Sequence, residues 1–465
     1  MANLEIKLLK YLPDWPIWAT STFGGLTLAC LLILIVQTIY NKNMHAEKSL
    51  NLKENAPYSD VSAAETKKRF RKFQRQYLIV YLIIMLADWL QGTNMYTLYQ
   101  SYGVNVSTLF ITGFFSSAIF GTFLGILVDQ FGRKRGCILF CVLELIINTL
   151  EHYPNMSLLL VGRVMGGLST SLLFSAFETW MVSEHRKQGY PEEWLAGTFS
   201  LASMGNGIVA IVAGVLAQMT ADWLGDIGPF QAAIALTGLA LTLLFKWDEN
   251  YGGDGDKIQL SRQFKDAWKC IRSDPKISLL GLQQSFFEGG MYTFVFMWVP
   301  TMLNLVPNGD LPTGLVFSSF MVCITIGGML FSSLLRVVSV EAGSLVIFGL
   351  ATFAMMVPAF LHNFYPVFAS FLVVEVCVGA FFVGGGTMRS KIFPDALQSS
   401  IMNIFRLPLN LLVVIGTKLS DSATPFTVFL TTSSWFAVAF FLQLSLNIYC
   451  KSNGKMLISG GKKVQ

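Results

Sequence analysis

Long apolar runs separated by short polar stretches dominate the chain. The first spans Ile17 to Tyr40. Twelve more follow at approximately 77–100, 107–129, 136–152, 157–184, 196–219, 228–247, 277–304, 313–336, 342–361, 365–390, 397–418 and 424–449. A membrane-crossing helix needs roughly 20 apolar residues, so each run predicts a span. The polar stretch from Asp248 to Lys276 divides the twelve six and six. It contains Gly252-Gly253-Asp254-Gly255-Asp256, a flexible run, and then Arg262 to Arg272 with the spacing of a surface amphipathic helix. The organisation that follows is 1–76 for an N-terminal anchor helix with a basic cytoplasmic loop and 77–247 for a six-helix bundle. A cytoplasmic linker takes 248–276, a second six-helix bundle 277–450, and a cytoplasmic tail 451–465. The Ile17–Tyr40 run exceeds the roughly 7–15 residues of a signal-peptide core, so it reads as a retained span.

Loop charge sets the orientation. Lys7 and Lys10 precede the first run, whereas Lys42, Lys48, Lys53 and Lys67-Lys68-Arg69-Phe70-Arg71-Lys72 follow it. Cytoplasmic loops hold an excess of Lys and Arg, which predicts an outside amino terminus. Alternation then places Arg133 to Arg135, Arg186, Lys187, the linker cations, Arg389, Lys391 and the tail lysines inside, while the opposite loops are almost free of basic residues. Asn105-Val106-Ser107 and Asn155-Met156-Ser157, both glycosylation sequons, fall on outer loops.

Composition agrees with a lipid solvent. The chain has 465 residues, 53% hydrophobic and 13% charged, where a soluble domain carries about a quarter charged residues. The net charge of +5 resides in short loops and is no nucleic-acid signal. Five of the seven cysteines lie inside apolar runs and read as packing residues. The sequence suggests no metal site, cofactor, Walker loop or nucleophile–base pair, which argues against an enzyme or an ATP-driven pump.

Charges inside the apolar runs are the candidate chemistry. Each costs about 2.5–3.5 kcal/mol at mid-bilayer even on a lenient scale, so it must face protein or water. They are Asp88, Glu144, Arg163, Glu178, Glu288, Glu375 and Arg406. Counting about 1.5 Å per residue, Asp88 and Arg163 lie at nearly the same depth and are expected to pair. Arg406, before Pro408, has Glu375 and Glu288 as candidate partners, and the proline should free backbone carbonyls nearby. Protonation of an acid beside an arginine frees a guanidinium fork for anion oxygens, so Asp88, Arg163, Glu288, Glu375 and Arg406 are the expected substrate and coupling residues. Glu144 and Glu178 are expected to latch the inner side by pairing with Arg133 or Arg135. The halves also echo each other: aligning Arg163 with Glu375 brings Val164 over Val376 and Gly167 over Gly379.

Between the second and third runs lies Gly125-Ile126-Leu127-Val128-Asp129-Gln130-Phe131-Gly132-Arg133-Lys134-Arg135. This resembles the loop signature of the major facilitator superfamily, with Gln130 where that superfamily usually has arginine. The resemblance implies a fold of 12 core helices as 6+6, here an all-α polytopic membrane protein with one extra N-terminal transmembrane helix. It also implies gating or structural roles for Gly125, Asp129, Gly132, Arg133, Lys134 and Arg135, beside Glu144 and Glu178. Longer stretches narrow the match: Ala87-Asp88-Trp89-Leu90-Gln91, Gly162 to Thr170 continuing to Glu184-His185, Phe287-Glu288, Phe294 to Pro300, Phe317 to Met321 and Glu249-Asn250-Tyr251. Together they resemble the eukaryotic molybdate-anion transporter family over nearly the whole chain.

That resemblance implies uptake of molybdate, a small divalent oxyanion, by a secondary carrier in the cell membrane, and the ionisable groups inside the apolar runs suggest protons as a coupling ion. Two other readings stay open at the level of sequence. One is a proton-coupled sugar or organic-solute carrier, suggested by Gln283-Gln284. The other is a non-transporting membrane receptor or scaffold.

Overall fold

In the computed structural model, which describes residues 15–50, 61–251, 259–307, 311–394 and 397–460, every extended element is a helix. The first is α1, Ile17–Leu50. Most of its described leucines and isoleucines, among them Leu28, Leu31, Leu32 and Ile35, are exposed, as expected of a helix solvated by lipid. Trp15, just before it, donates its indole N–H to Asp222 at 2.7 Å.

The stretch read as a basic loop becomes helix from residue 61. Val61–Ser101 is one element, α2, of 41 residues, about 60 Å at 1.5 Å per residue and twice the hydrocarbon thickness. The reason is a helical stripe hidden among cations: Phe70, Phe73 and Tyr77 recur every three to four residues and are buried, whereas Lys67, Lys68, Arg71, Lys72 and Arg75 are exposed.

The helices that follow are α3 (Val106–Phe131), α4 (Arg133–Leu150), α5 (Met156–Leu173), α6 (Ala176–Lys187), α7 (Glu192–Leu224) and α8 (Gly228–Leu244). Asn105 and Asn155 of the two sequons serve as N-caps. Asn105 accepts from the Thr108 N–H at 2.8 Å, and Asn155 accepts from the Ser157 N–H at 2.9 Å, satisfying donors that a helix start leaves open. The run expected to be continuous over 157–184 is interrupted at Phe174 and Ser175, between α5 and α6. Thr170, Ser171, Ser175 and Thr179 each return a hydroxyl to the carbonyl four residues earlier, a pattern that bends helices.

The second series comprises α9 (Gln259–Ser273), α10 (Pro275–Leu305), α11 (Thr313–Leu334), α12 (Val340–Phe360), α13 (Phe364–Ile392), α14 (Gln398–Ser422) and α15 (Pro425–Gly460). Nine described helices are long and apolar enough to cross a membrane, and Val106–Phe120 and Gly228–Leu244 are shorter apolar helices. Neither α4 nor α10 is among them. They carry Arg133 to Arg135 and Glu144, and Gln283, Gln284 and Glu288, respectively, so polar work lowers their apolarity.

The chain divides into two units, Met1–Gly252 with Pro312–Val322, and Gly253–Leu311 with Cys323–Gln465. In the first, α2 packs on α7 and α8, α3 on α5, and α4 on α5 and α8. In the second, α10 packs on α13, α14 and α15, and α12 on α13 and α15. The echo between halves has a structural counterpart. A Cβ at Gly167 would strike Ser116 and Ser117 of α3, and one at Gly379 would strike the backbone of Ile324 in α11. Both positions therefore require glycine at a close helix crossing.

Candidate functional site

The polar side chains collect in three places. The first lies at the α4–α5 turn. Glu151 ends α4, is 1% exposed, and accepts from the Tyr99 hydroxyl at 2.8 Å and from Arg163 Nη2 at 2.8 Å. Arg163 also donates to the Met95 sulfur at 2.9 Å and stands 5.6 Å from the centroid of the Tyr99 ring. The Tyr102 hydroxyl donates to the Glu151 carbonyl at 2.8 Å. Arg163 thus pairs with Glu151 and not, as expected, with Asp88. The cause is the length of α2. Arg163 lies seven residues into α5 and Asp88 thirteen residues before the end of α2, a difference in level of about 9 Å. Glu151 and Tyr99 escaped the sequence reading because Glu151 sits at the edge of an apolar run, where a charge costs nothing in water.

The second cluster surrounds Glu144. Its carboxylate, 7% exposed, accepts from Gln91 Nε2 at 2.9 Å, Ser169 Oγ at 2.5 Å and Asn148 Nδ2 at 3.3 Å. Three neutral donors satisfy it, and among the described residues no cation contacts it. Asp88, half-buried on α2, lies within the electrostatic reach of Glu144. Glu144 is eleven residues into α4, about 16 Å along the axis, too far from Arg133 and Arg135 for the expected latch. Glu178 is exposed in the first turn of α6.

Glu249, rather than Glu144 or Glu178, meets the turn between α3 and α4. Its carboxylate accepts the backbone N–H of Lys134 at 2.8 Å and of Arg135 at 3.2 Å, and lies 3.9 Å from Arg135 Nε. An anion at the start of α4 meets open donors and the positive end of the helix dipole. Gly132 allows this approach: its φ is +113°, and a Cβ there would fall 2.7 Å from the Glu249 carboxyl carbon. The Arg133 N–H donates to the Asn250 carbonyl at 3.0 Å, and Lys134 Nζ to the Phe245 carbonyl at 3.2 Å. Asn250 Nδ2 in turn reaches the Trp180 carbonyl at 3.2 Å, while the Trp180 and Trp247 rings stack at 3.7 Å. Gly125 and Asp129 lie outside the residues whose side chains are described, as do the side chain of Arg262 and the glycine run 252–256 of the linker.

The third cluster is in the second unit. Glu288 on α10 is half-buried and lies within electrostatic range of Arg389 and Arg406. Arg389 was expected on an inner loop. It belongs to the last turns of α13, and its guanidinium folds back over Gly385 and Gly386, where Cβ atoms would lie 3.4 Å and 3.8 Å from its terminal nitrogens. Gln284 Nε2 donates to the Gly385 carbonyl at 3.4 Å. Arg406, on the exposed side of α14, lies within electrostatic range of Glu288 and Tyr292. Glu375 is buried on α13 but makes no ion pair with Arg406. Near Pro408, Ser285 Oγ donates to the Phe405 carbonyl at 2.9 Å, which ties α10 to α14 beside the proline.

A protein-family profile described as sugar transporters with 12 TM matches residues 51–385. A molybdate-anion transporter of Xenopus tropicalis is 35% identical over 373 residues, covering 77% of this chain and 81% of the relative. One of Danio rerio is 33% identical over 385 residues, covering 75% of this chain and 79% of the relative. Among solved structures, a peptide transporter POT in complex with sulfate superposes with a TM-score of 0.66 at 14% identity, over 83% of this chain and 95% of that one. The nucleoside transporter NupG gives 0.61 at 13% identity, over 80% and 98%. At such identities these two structures carry the fold and nothing about substrate.

Proposed function

The chain belongs to the molybdate-anion transporter family of the major facilitator superfamily, and we propose that it is a secondary active transporter taking up molybdate across the cell membrane by alternating access. The observation that carries this reading is similarity at 35% identity over most of both chains to a relative named for that transport. Its relatives are transporters, and the chain is a carrier rather than an enzyme.

Within this reading, Glu288 and Arg406 contact the substrate, and Asp88 and Glu375 carry coupling protons. Support comes from Glu288 lying within electrostatic range of two guanidiniums and from the burial of Glu375 with no cation in contact among the described residues. Arg163 acts with Glu151, Tyr99 and Met95 to hold α2, α4 and α5 together. Gly132, Arg133, Lys134 and Arg135 form the inner latch with Glu249, and Gly125 and Asp129 belong to the same turn by sequence. The amino terminus is outside and the carboxyl terminus cytoplasmic. The bond from Trp15 to Asp222 supports this, because Asp222 lies beside a loop poor in basic residues.

The family profile describes sugar transporters, which makes a sugar the one competing substrate to test. Proteoliposomes containing the purified chain should accumulate labelled molybdate, with tungstate competing and glucose inert. Competition by glucose and none by tungstate would overturn the assignment.

A further inference from the structure

The amino-terminal end of α2 has two sides of opposite character. Phe70, Phe73 and Tyr77 form its buried stripe. The Phe70 ring lies 4.8 Å from the ring of Trp194 and 5.3 Å from that of Tyr190, and the Phe73 ring lies 5.8 Å from Tyr190. Gln74 Nε2 donates to Thr198 Oγ1 at 3.0 Å. This side of α2 is thus fixed against Tyr190 and the start of α7. At about 100° per residue, Lys67, Lys68, Arg71, Lys72 and Arg75 point away from the stripe, and all five are exposed.

These cations lack the acidic neighbours that would neutralise them. Arg69 pairs with Glu65 at 3.5 Å, but among the described residues none of the five has a carboxylate within ion-pair distance. Together with Gln74 they line a cleft of about 570 Å³. The helix itself sets their height over the bilayer. Its apolar run begins at Tyr77, so Arg75 stands about 3 Å beyond the hydrocarbon, Lys72 about 8 Å and Lys67 about 15 Å. The headgroup layer is about 5–7 Å deep on each side. Arg75 and Lys72 therefore reach the phosphate level of ordinary lipids, while Arg71, Lys68 and Lys67 stand above it. A headgroup with one phosphate meets only the lower end of this row. One that carries further phosphates on a projecting ring meets the whole of it.

We propose that this face of α2 binds a phospholipid whose headgroup bears several phosphates, of the phosphorylated inositol class. The inference rests on the cytoplasmic placement of residues 61–76, since anionic inositol lipids belong to that leaflet. Lipid is favoured over a soluble polyanion because the face is held beside the headgroups by its own transmembrane helix. The buried stripe keeps the five cations turned outward whether or not lipid is bound, so the site is formed in advance.

The test uses the purified full-length chain in neutral detergent micelles, titrated with phosphatidylinositol bisphosphate, phosphatidylserine or phosphatidylcholine and read by native mass spectrometry. Wild-type protein should bind the bisphosphate lipid about tenfold more tightly than phosphatidylserine, and phosphatidylcholine least. The combined variant Lys68→Gln, Arg71→Gln, Arg75→Gln should weaken that binding about tenfold or more. The combined variant Lys265→Gln, Lys269→Gln, Arg272→Gln removes the same charge from α9 and should leave it near the wild-type value. Thermal melting confirms that each is folded. Should the α2 variant fail to fold, wild type still decides: raising salt from about 0.1 to 0.5 M should weaken binding severalfold. Equal losses in the two variants, or no preference for the bisphosphate lipid, would overturn the proposal. So would equal affinity for free inositol trisphosphate or for polyglutamate, which would make the ligand a soluble anion. Micelles have no inner and outer leaflet, so such a failure would count against the face and leave the orientation standing.

Discussion

Arg163 Nη2 lies 2.8 Å from Glu151 Oε1, with the two side chains 12% and 1% exposed, and this pair joins the first half of α5 to the end of α4. Removing one partner of a buried pair leaves an uncompensated charge and costs about 3–5 kcal/mol. Arg163→Gln and Glu151→Gln should each lower the melting temperature of the detergent-solubilised protein by several degrees or prevent its accumulation. Combining them should cost less than the sum of the two. Additive losses would show that the pair is not coupled. Asp88→Asn should leave the melting temperature near that of wild type, because Asp88 is not in this pair.

The Glu144 cluster predicts a different dependence. Ser169 Oγ is the donor recorded on Oε1, and a buried acceptor left without a partner costs roughly 1–3 kcal/mol. Ser169→Ala should therefore destabilise the first unit, and Ser169→Thr, which keeps the hydroxyl, should restore part of the loss. Equal stability of all three proteins would remove the network from the account.

The order and helical type of the elements were legible in the sequence because apolar runs of membrane length leave few alternatives, but their number was not, since one run breaks at Phe174 and Ser175 into α5 and α6. The correspondence of Gly167 with Gly379 was legible in two echoing segments, but the helix crossings that both glycines serve were not. Partners were not. Depth inferred from run edges failed for Asp88 and Arg163, because the apolar limit at residue 77 hid sixteen residues of helix that begin at Val61. Glu249 was visible only as part of a family stretch, and its role depends on α8 returning to the start of α4, a tertiary fact with no local signal. Arg389 looked like a loop cation because its charge sits at a helix end, while the direction of its side chain decides where the charge lies.

The inner latch can be tested at its tightest point. Gly132→Ala forces a residue with a Cβ to φ +113° and into the Glu249 carboxylate, adding about 1–2 kcal/mol of backbone strain. Glu249→Gln keeps an acceptor but removes the charge that favours a helix start, worth about 0.3–1 kcal/mol. We expect the alanine variant to be the less stable of the two by differential scanning fluorimetry. In the glutamine variant, cysteines placed in the α3–α4 turn should be labelled faster from the cytoplasmic side. Unchanged labelling would show that Glu249 does not hold the turn.

At the second crossing, Gly379→Val should abolish folded protein, because even a Cβ at Gly379 falls on the Ile324 carbonyl. Gly386→Val, at a position where the nearest atom is 3.8 Å away, should still yield folded protein. Monodisperse elution of both variants would contradict the crossing described here.

The most direct measurement is accumulation of labelled molybdate in cells that lack their own molybdate carrier and express this chain, at two external pH values and with sulfate in excess. The account predicts saturable accumulation above background that tungstate blocks, that acid pH stimulates, and that Arg406→Gln abolishes while the protein still reaches the membrane. Accumulation no greater than in cells without the chain, with the protein folded and at the cell surface, would contradict it.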